Sequence, residues 1–169
     1  QLDEVTRLTF TPGAQGSFKQ DMLSATRRLG LVPYKIRTLQ EIFDELATGT
    51  PVLIFHSTKI MWKELWHYSV LTGYDRKKET FSVHIGTYPH REMDMTELVR
   101  AWELGGSWAF IVTDPQRIPK HASFEESLDN DLTFTRLGLN DAAHVLDREI
   151  QKRWPEKYSD HQKQTRSKL

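Results

Sequence analysis

The 169-residue sequence contains no cysteine. That absence excludes disulfide bridges, thiolate metal sites and, within these residues, a cysteine nucleophile, while leaving the redox compartment open. Excess charge of one sign is missing as well. Lys and Arg number 23 and Asp and Glu number 23, so no overall field draws the chain to nucleic acid or to an anionic membrane, and neither is expected as a partner. Long apolar runs are lacking too: those from Pro51 to Phe55 and from Trp108 to Val112 fall far short of the ~20 residues a membrane-spanning helix needs. There is no Gly-x-Ser-x-Gly elbow and no glycine-rich phosphate loop. The histidines, His56, His67, His84, His90, His121, His144 and His161, include no pair at the i, i+4 spacing of a helical zinc site. No metal and no cofactor is therefore expected. The acidic residues are scattered, and none pair as a glycosidase couple.

What is present is enough apolar material for a core. Hydrophobic residues make up 38% and aromatics 11%, too much for a disordered chain and suited to one domain with a small appendage. The chain starts at Gln1 without Met or a signal-like apolar segment. We read that start as a cut, either a processed mature end or a fragment whose upstream part lies elsewhere.

Local signals predict the elements. Ser17 and Gln20 fit a capping box that opens a helix ending near Gly30. Val32–Ile36 reads as a strand. Thr38 and Glu41 form a second box, opening a helix with Leu39, Ile42, Phe43 and Leu46 on one face and Gly49 after its end. The run Val52–Phe55 reads as a buried strand, Ser57–Leu65 as a loop, and His67–Tyr74 with Phe81–Ile85 as a hairpin turning over Asp75–Glu79. Thr96 can cap a helix that stops at Gly105 and Gly106, and Trp108–Val112 supplies a final strand. The order points to an α+β fold with a mixed sheet and packed helices. Asp114-Pro115 and Ile118-Pro119 mark a linker. Beyond it, Ser123–Glu126 opens a helix that Gly138 breaks, and Asn140 can cap a second helix ending at Trp154-Pro155. The pair resembles a single tetratricopeptide-type unit. From Gln151 onward six Lys and Arg face two Asp and Glu, which reads as a solvated, disordered tail, the alternative being an anionic partner.

The segment richest in chemistry is Trp66-His67-Tyr68-Ser69-Val70-Leu71-Thr72-Gly73-Tyr74-Asp75. A histidine at the start of a strand is by default a structural residue. Two features favour function: His67 follows an irregular stretch, where site residues collect, and it is flanked by two aromatics that can wall an imidazole into one rotamer.

This segment resembles the histidine motif of the bacteriocin-processing cysteine peptidases, a papain-like family whose motif runs from His-Tyr or His-Phe through a β-rich stretch to Gly-Tyr-Asp. Pro12-Gly13 with Gly16-Ser17, Met22-Leu23 through Gly30 to Pro33-Tyr34, Gly49-Thr50-Pro51-Val52-Leu53 and Gly106-Ser107-Trp108-Ala109 are similar to a bacterial branch that carries a helical-repeat extension. The resemblance spans about residues 4 to 113. It implies a papain-like cysteine peptidase fold, mainly antiparallel in its sheet, incomplete at its N-terminus and followed by an αα-hairpin. The implied organisation is a peptidase-type domain over 1–114 lacking its nucleophile segment, a linker over 115–122, a helical hairpin over 123–155 and a basic tail over 156–169. By the same resemblance His67 is the general base. A hairpin turn centred near Lys77 would set Thr87 across from it, and Asp94 is the nearest later carboxylate, so these two are candidate orienters of its ring, while Trp62, Trp66 and Tyr68 are candidate contacts of a peptide-binding groove. A peptide or protein would be the substrate, and export or a periplasmic location in bacteria would be its setting. The family's upstream Cys and oxyanion Gln have no counterpart in these residues, so the chain alone is expected to be inert. Where the family commonly has Asp-Pro, this chain has His84-Ile85-Gly86-Thr87. That departure keeps open a degenerate domain that binds peptide or a protein partner without cutting. A scaffold built on the helical hairpin is a third reading, and one hairpin is too little for an extended concave surface. The oligomeric state is not encoded in any of these signals.

Overall fold

The Thr38 box forms as its residues dictate. Thr38 Oγ1 accepts the Glu41 N–H at 3.2 Å while the Glu41 carboxylate accepts the Thr38 N–H at 3.2 Å, satisfying two donors that the first turn would leave unpaired. The computed structural model describes residues 2–14, 16–60 and 63–166. Its helices are α1 (Leu2–Thr9), α2 (Lys19–Arg28), α3 (Leu39–Ala47), α4 (Met95–Leu104), α5 (Phe124–Arg136), α6 (Asn140–Arg153) and α7 (Pro155–Arg166). Its strands are β1 (Val32–Ile36), β2 (Val52–Ile60), β3 (Lys63–Asp75), β4 (Thr80–Ile85), β5 (Tyr88–Asp94) and β6 (Ala109–Thr113). The sheet order is β1-β6-β2-β3-β4-β5, and β2/β3, β2/β6, β3/β4 and β4/β5 all pair antiparallel. The fold is thus α+β, with a largely antiparallel sheet and packed helices, as the sequence order implies. No described helix is long and apolar enough to cross a membrane.

The chain divides into two compact units, Lys35–Ile111 and Gln1–Tyr34 with Val112–Leu169. The first holds α3, α4 and strands β2 to β5. Its apolar seam joins Ile42 of α3 and Leu98 and Trp102 of α4 to Ile54, Leu71 and Phe81, all nearly inaccessible to water. Each such side chain stabilises the unit by ~1.5–3 kcal/mol relative to exposure. The second unit assembles α2 with α5 and α6 around Leu23, Phe124, Phe134, Leu146 and Ile150. Buried Asn130 of α5 ties it together: its Oδ1 accepts from Arg27 Nε at 2.7 Å, and its Nδ2 donates to the carbonyls of Pro33 (3.2 Å) and Glu126 (3.0 Å). These units cut the chain differently from the expected 1–114 and 123–155, because the N-terminal helices find their buried partners beyond residue 112.

Several sequence expectations are corrected. Of the expected loop Ser57–Leu65, residues 57–60 and 63–65 are strand: β2 runs on to Ile60 and β3 starts at Lys63. Their residues show little alternation alone, but pairing with each other satisfies both backbones. Strand β5 carries no clear signal in the sequence, since its residues are almost all exposed and include Pro89, which an edge strand tolerates. The Ser17 box does not form: Phe18 is the N-cap of α2, its side chain accepts nothing, and only Asp21 Oδ2 reaches back to accept the Phe18 N–H at 3.2 Å. Asp94, not Thr96, caps α4, and Asn140 opens α6 without capping it. The described part of the basic stretch expected to be a disordered tail is helical, over Pro155–Arg166, and residues 167–169 lie outside the described residues. Proline is favoured at a first helical position, and Tyr158 anchors α7 by donating to Asp147 Oδ1 at 2.5 Å.

Candidate active site

The β2–β3 hairpin carries the motif. Its ladder runs from Val52↔Leu71 to Ile60↔Lys63 and sets His56 directly opposite His67. Because side chains alternate along a strand, the two imidazoles share one face with Ile54, Ser69 and Leu71. Phe55, Trp66 and Tyr68 take the other face. The idea that Trp66 and Tyr68 wall in His67 is therefore overturned by the two-residue period of β3. They build a separate aromatic surface instead. Trp66 stacks on Phe55 with centroids 5.4 Å apart and planes 9° from parallel, and Tyr68 lies 5.0 Å from Phe55 and 5.8 Å from Trp108. Trp66 is 46% exposed and Tyr68 half-buried. Trp62 lies outside the described residues.

His67 is exposed, whereas His56 across the ladder is 1% exposed. The ring centroids are 6.3 Å apart. His56 Nε2 and Ser69 Oγ share a buried 2.8 Å hydrogen bond, whose donor depends on the imidazole tautomer. His56 Nδ1 is buried without a hydrogen-bond partner. Burial in this apolar setting pushes the His56 pKa down, a Ser57 backbone contact offsets part of that, and the neighbouring His67 pushes further down. One imidazole is thus held neutral inside the sheet while the other faces water. Close packing at this point depends on Gly105, just after α4: a Cβ there would stand 2.4 Å from the Phe55 carbonyl oxygen.

The two candidate orienters part company. The β3–β4 ladder runs from Asp75↔Thr80 to Val70↔His84. Continued in a straight line it would set Thr87 opposite His67, but the chain turns at Gly86 and Thr87 into β5, pairing Ile85 with Tyr88. Thr87 is thus an exposed turn residue at the same end of the sheet as His67. Asp94 pairs with Thr80 at the opposite end, and Thr80 pairs in turn with Asp75, eight residues of β3 from His67 and ~25 Å away at strand spacing. Its carboxylate accepts the Glu97 N–H at 2.9 Å and caps α4. The fold does not bring Asp94 to His67. Sequence reading also missed His56 and Ser69 as neighbours of His67. Counting along the ladder from Ile60↔Lys63 would have found them, had Ser57–Ile60 and Lys63–Leu65 been read as strand.

No family model and no curated protein matches the sequence. Solved structures do. The peptidase domain of Streptococcus ComA, a bifunctional ABC transporter involved in a quorum-sensing pathway, aligns at a TM-score of 0.51 and 18% identity, covering 67% of this chain and 77% of that one. A Bacillus anthracis chain described as C39-like peptidase aligns at 0.45 and 18%, covering 58% of this chain. This chain spans 60% of the Bacillus chain's length. At 18% identity the likeness to the ComA domain is one of fold.

Proposed function

We propose that this chain carries the general-base half of a papain-like cysteine peptidase site, with His67 as the base and the thiol supplied by polypeptide outside these 169 residues. The observation that carries this reading is the exposed imidazole of His67 on β3, in a fold like that of the ComA peptidase domain. In the proposed reaction His67 takes the proton from the thiol, and the thiolate adds to a peptide carbonyl. The imidazolium then returns that proton to the leaving amine as the C–N bond breaks. Water, deprotonated by the same imidazole, hydrolyses the thioester and regenerates thiol and neutral histidine. Thr87 remains the candidate orienter by position. The aromatic surface of Trp66 and Tyr68 lies on the face of β3 opposite His67 and is assigned to peptide contacts in the binding reading that follows.

The absence of cysteine and the distance of Asp94 favour a second reading, a peptidase-like domain that holds a peptide without cutting it. One comparison separates the two. The gene-length protein is assayed for peptide hydrolysis with and without His67→Ala. The first reading expects a rate loss of about 10³-fold or more and inhibition of the unsubstituted protein by a thiol-directed alkylator. Equal hydrolysis by both proteins removes His67 from the mechanism. No hydrolysis by either, with saturable peptide binding, establishes the binding domain.

A further inference from the structure

Helices α5, α6 and α7 line an open pocket, about 300 Å³ in volume, bordered among others by Leu128, Asp131, Leu132, Asp147, Tyr158 and His161. That size lies at the small end of ligand pockets. Its chemistry is unbalanced. Asp131 and Asp147, from different helices, are among its lining residues, and no Lys or Arg is among its described lining residues. Tyr158 donates to one oxygen of Asp147. Asp131 is only 9% exposed, and its Oδ1 is shut from solvent without a hydrogen-bond partner. A buried carboxylate left unpaired is costly, and natural folds pair such groups unless a ligand completes them.

We infer that this pocket binds a guanidinium group on an aliphatic stem, an arginine side chain presented by a peptide or by the free amino acid. A planar fork of N–H donors can bridge the Asp131 and Asp147 carboxylates in a way a point-charge ammonium cannot. Leu128 and Leu132 offer apolar surface for the stem, and the Tyr158 and His161 rings offer faces for the guanidinium plane. Among the described residues no group of three or more His, Asp and Glu is arranged to hold a metal ion, so the vacant positive role falls to an organic cation. Burial, chiefly, and the nearby Asp147 push the Asp131 pKa up to about 6, with His144 pulling the other way. The two carboxyls already repel one another, which a cation between them would relieve. This inference is independent of the peptidase reading.

The test is calorimetric titration of the 169-residue protein at neutral pH with N-acetyl-arginine amide, free arginine, N-acetyl-lysine amide and N-acetyl-citrulline amide, which is nearly isosteric with arginine but uncharged. Saturable binding of the arginine amide is expected, weakened about tenfold or more for the lysine and citrulline amides and for the Asp131→Asn and Asp147→Asn variants. Far-UV circular dichroism checks that each variant is folded. Asp131 accepts no bond in the fold that its amide would lose, so Asp131→Asn decides the matter if Asp147→Asn unfolds. Tighter binding of the arginine amide than of free arginine assigns the ligand to a polypeptide, and equal binding assigns it to the free amino acid. Equal affinity for citrulline or lysine amide, unchanged affinity in Asp131→Asn, or no saturation at about 10 mM overturns the inference.

Discussion

At Asp131 and His56 burial shifts two pKa values in opposite directions, with opposite consequences for stability. The Asp131 carboxyl titrates at about 6 in the folded chain against an ordinary 3.8. Between those values the folded state keeps a proton that the unfolded state has lost, so this residue makes the helical unit more stable as pH falls from about 6 to about 4. Replacing Asp131 by Asn is expected to stabilise the protein at pH 7 by about 1–3 kcal/mol, with the gain shrinking toward pH 4. Urea unfolding at pH 7.0 and 4.5 checks it, and an equal gain at both pH values would show that the carboxyl carries no burial penalty. His56 works in reverse. Its pKa is lowered, chiefly by burial, so the unfolded state takes up the proton first and stability is lost as acidity passes through the ordinary histidine range. The neutral ring and its bond to Ser69 suit a wall beside His67 better than a second base.

Single contacts that join elements give the next predictions. α4 ends at Gly105, where any side chain meets the Phe55 carbonyl oxygen at 2.4 Å. Backbone cannot move aside as a flexible side chain can, so Gly105→Ala is expected to destabilise the sheet unit by about 1–3 kcal/mol. A denaturation midpoint unchanged by that substitution would mean α4 stands farther from β2. In the helical unit, Asn130→Ala removes the acceptor of Arg27 Nε and the donor to the Pro33 carbonyl. Leaving those groups unpaired is expected to cost about 2–3 kcal/mol, measured by the same unfolding experiment. Helices such as α3 and α5 are legible in the sequence, since Thr38 with Glu41 and Ser123 with Glu126 carry their own start signals. Strands β2 and β3 beyond Ser57 are not. Their backbone groups are satisfied across the hairpin, and nothing within either segment alone declares that pairing.

On the scale of the whole chain, the proposed supply of the thiol from outside these residues yields a blunt expectation. The 169-residue protein, which holds no cysteine, should show no alkylator-sensitive peptide hydrolysis, even with His67 intact. A fluorogenic peptide assay reads this directly, and thiol-type turnover by this chain would remove the need for an outside nucleophile. The division into units belongs to the same scale. Arg27 reaches Asn130 across 103 positions, so the helical unit is made from both ends of the sequence with the sheet unit between them.

By itself the sequence determined the local choices: the Thr38 capping box, the alternating strands around Tyr74 and Phe81, the helical stripe of α6, and the segment whose histidine resembles a peptidase base. These depend on neighbours within a turn or a pleat, so they can be read in a line. Only the tertiary structure decided that His56 faces His67, that Trp66 and Tyr68 turn away from it, that Asp94 caps a helix ~25 Å off, and that Asp131 sits buried without a partner. Each of those depends on register across a hairpin or on packing between distant segments, where a shift of one residue exchanges one face for the other.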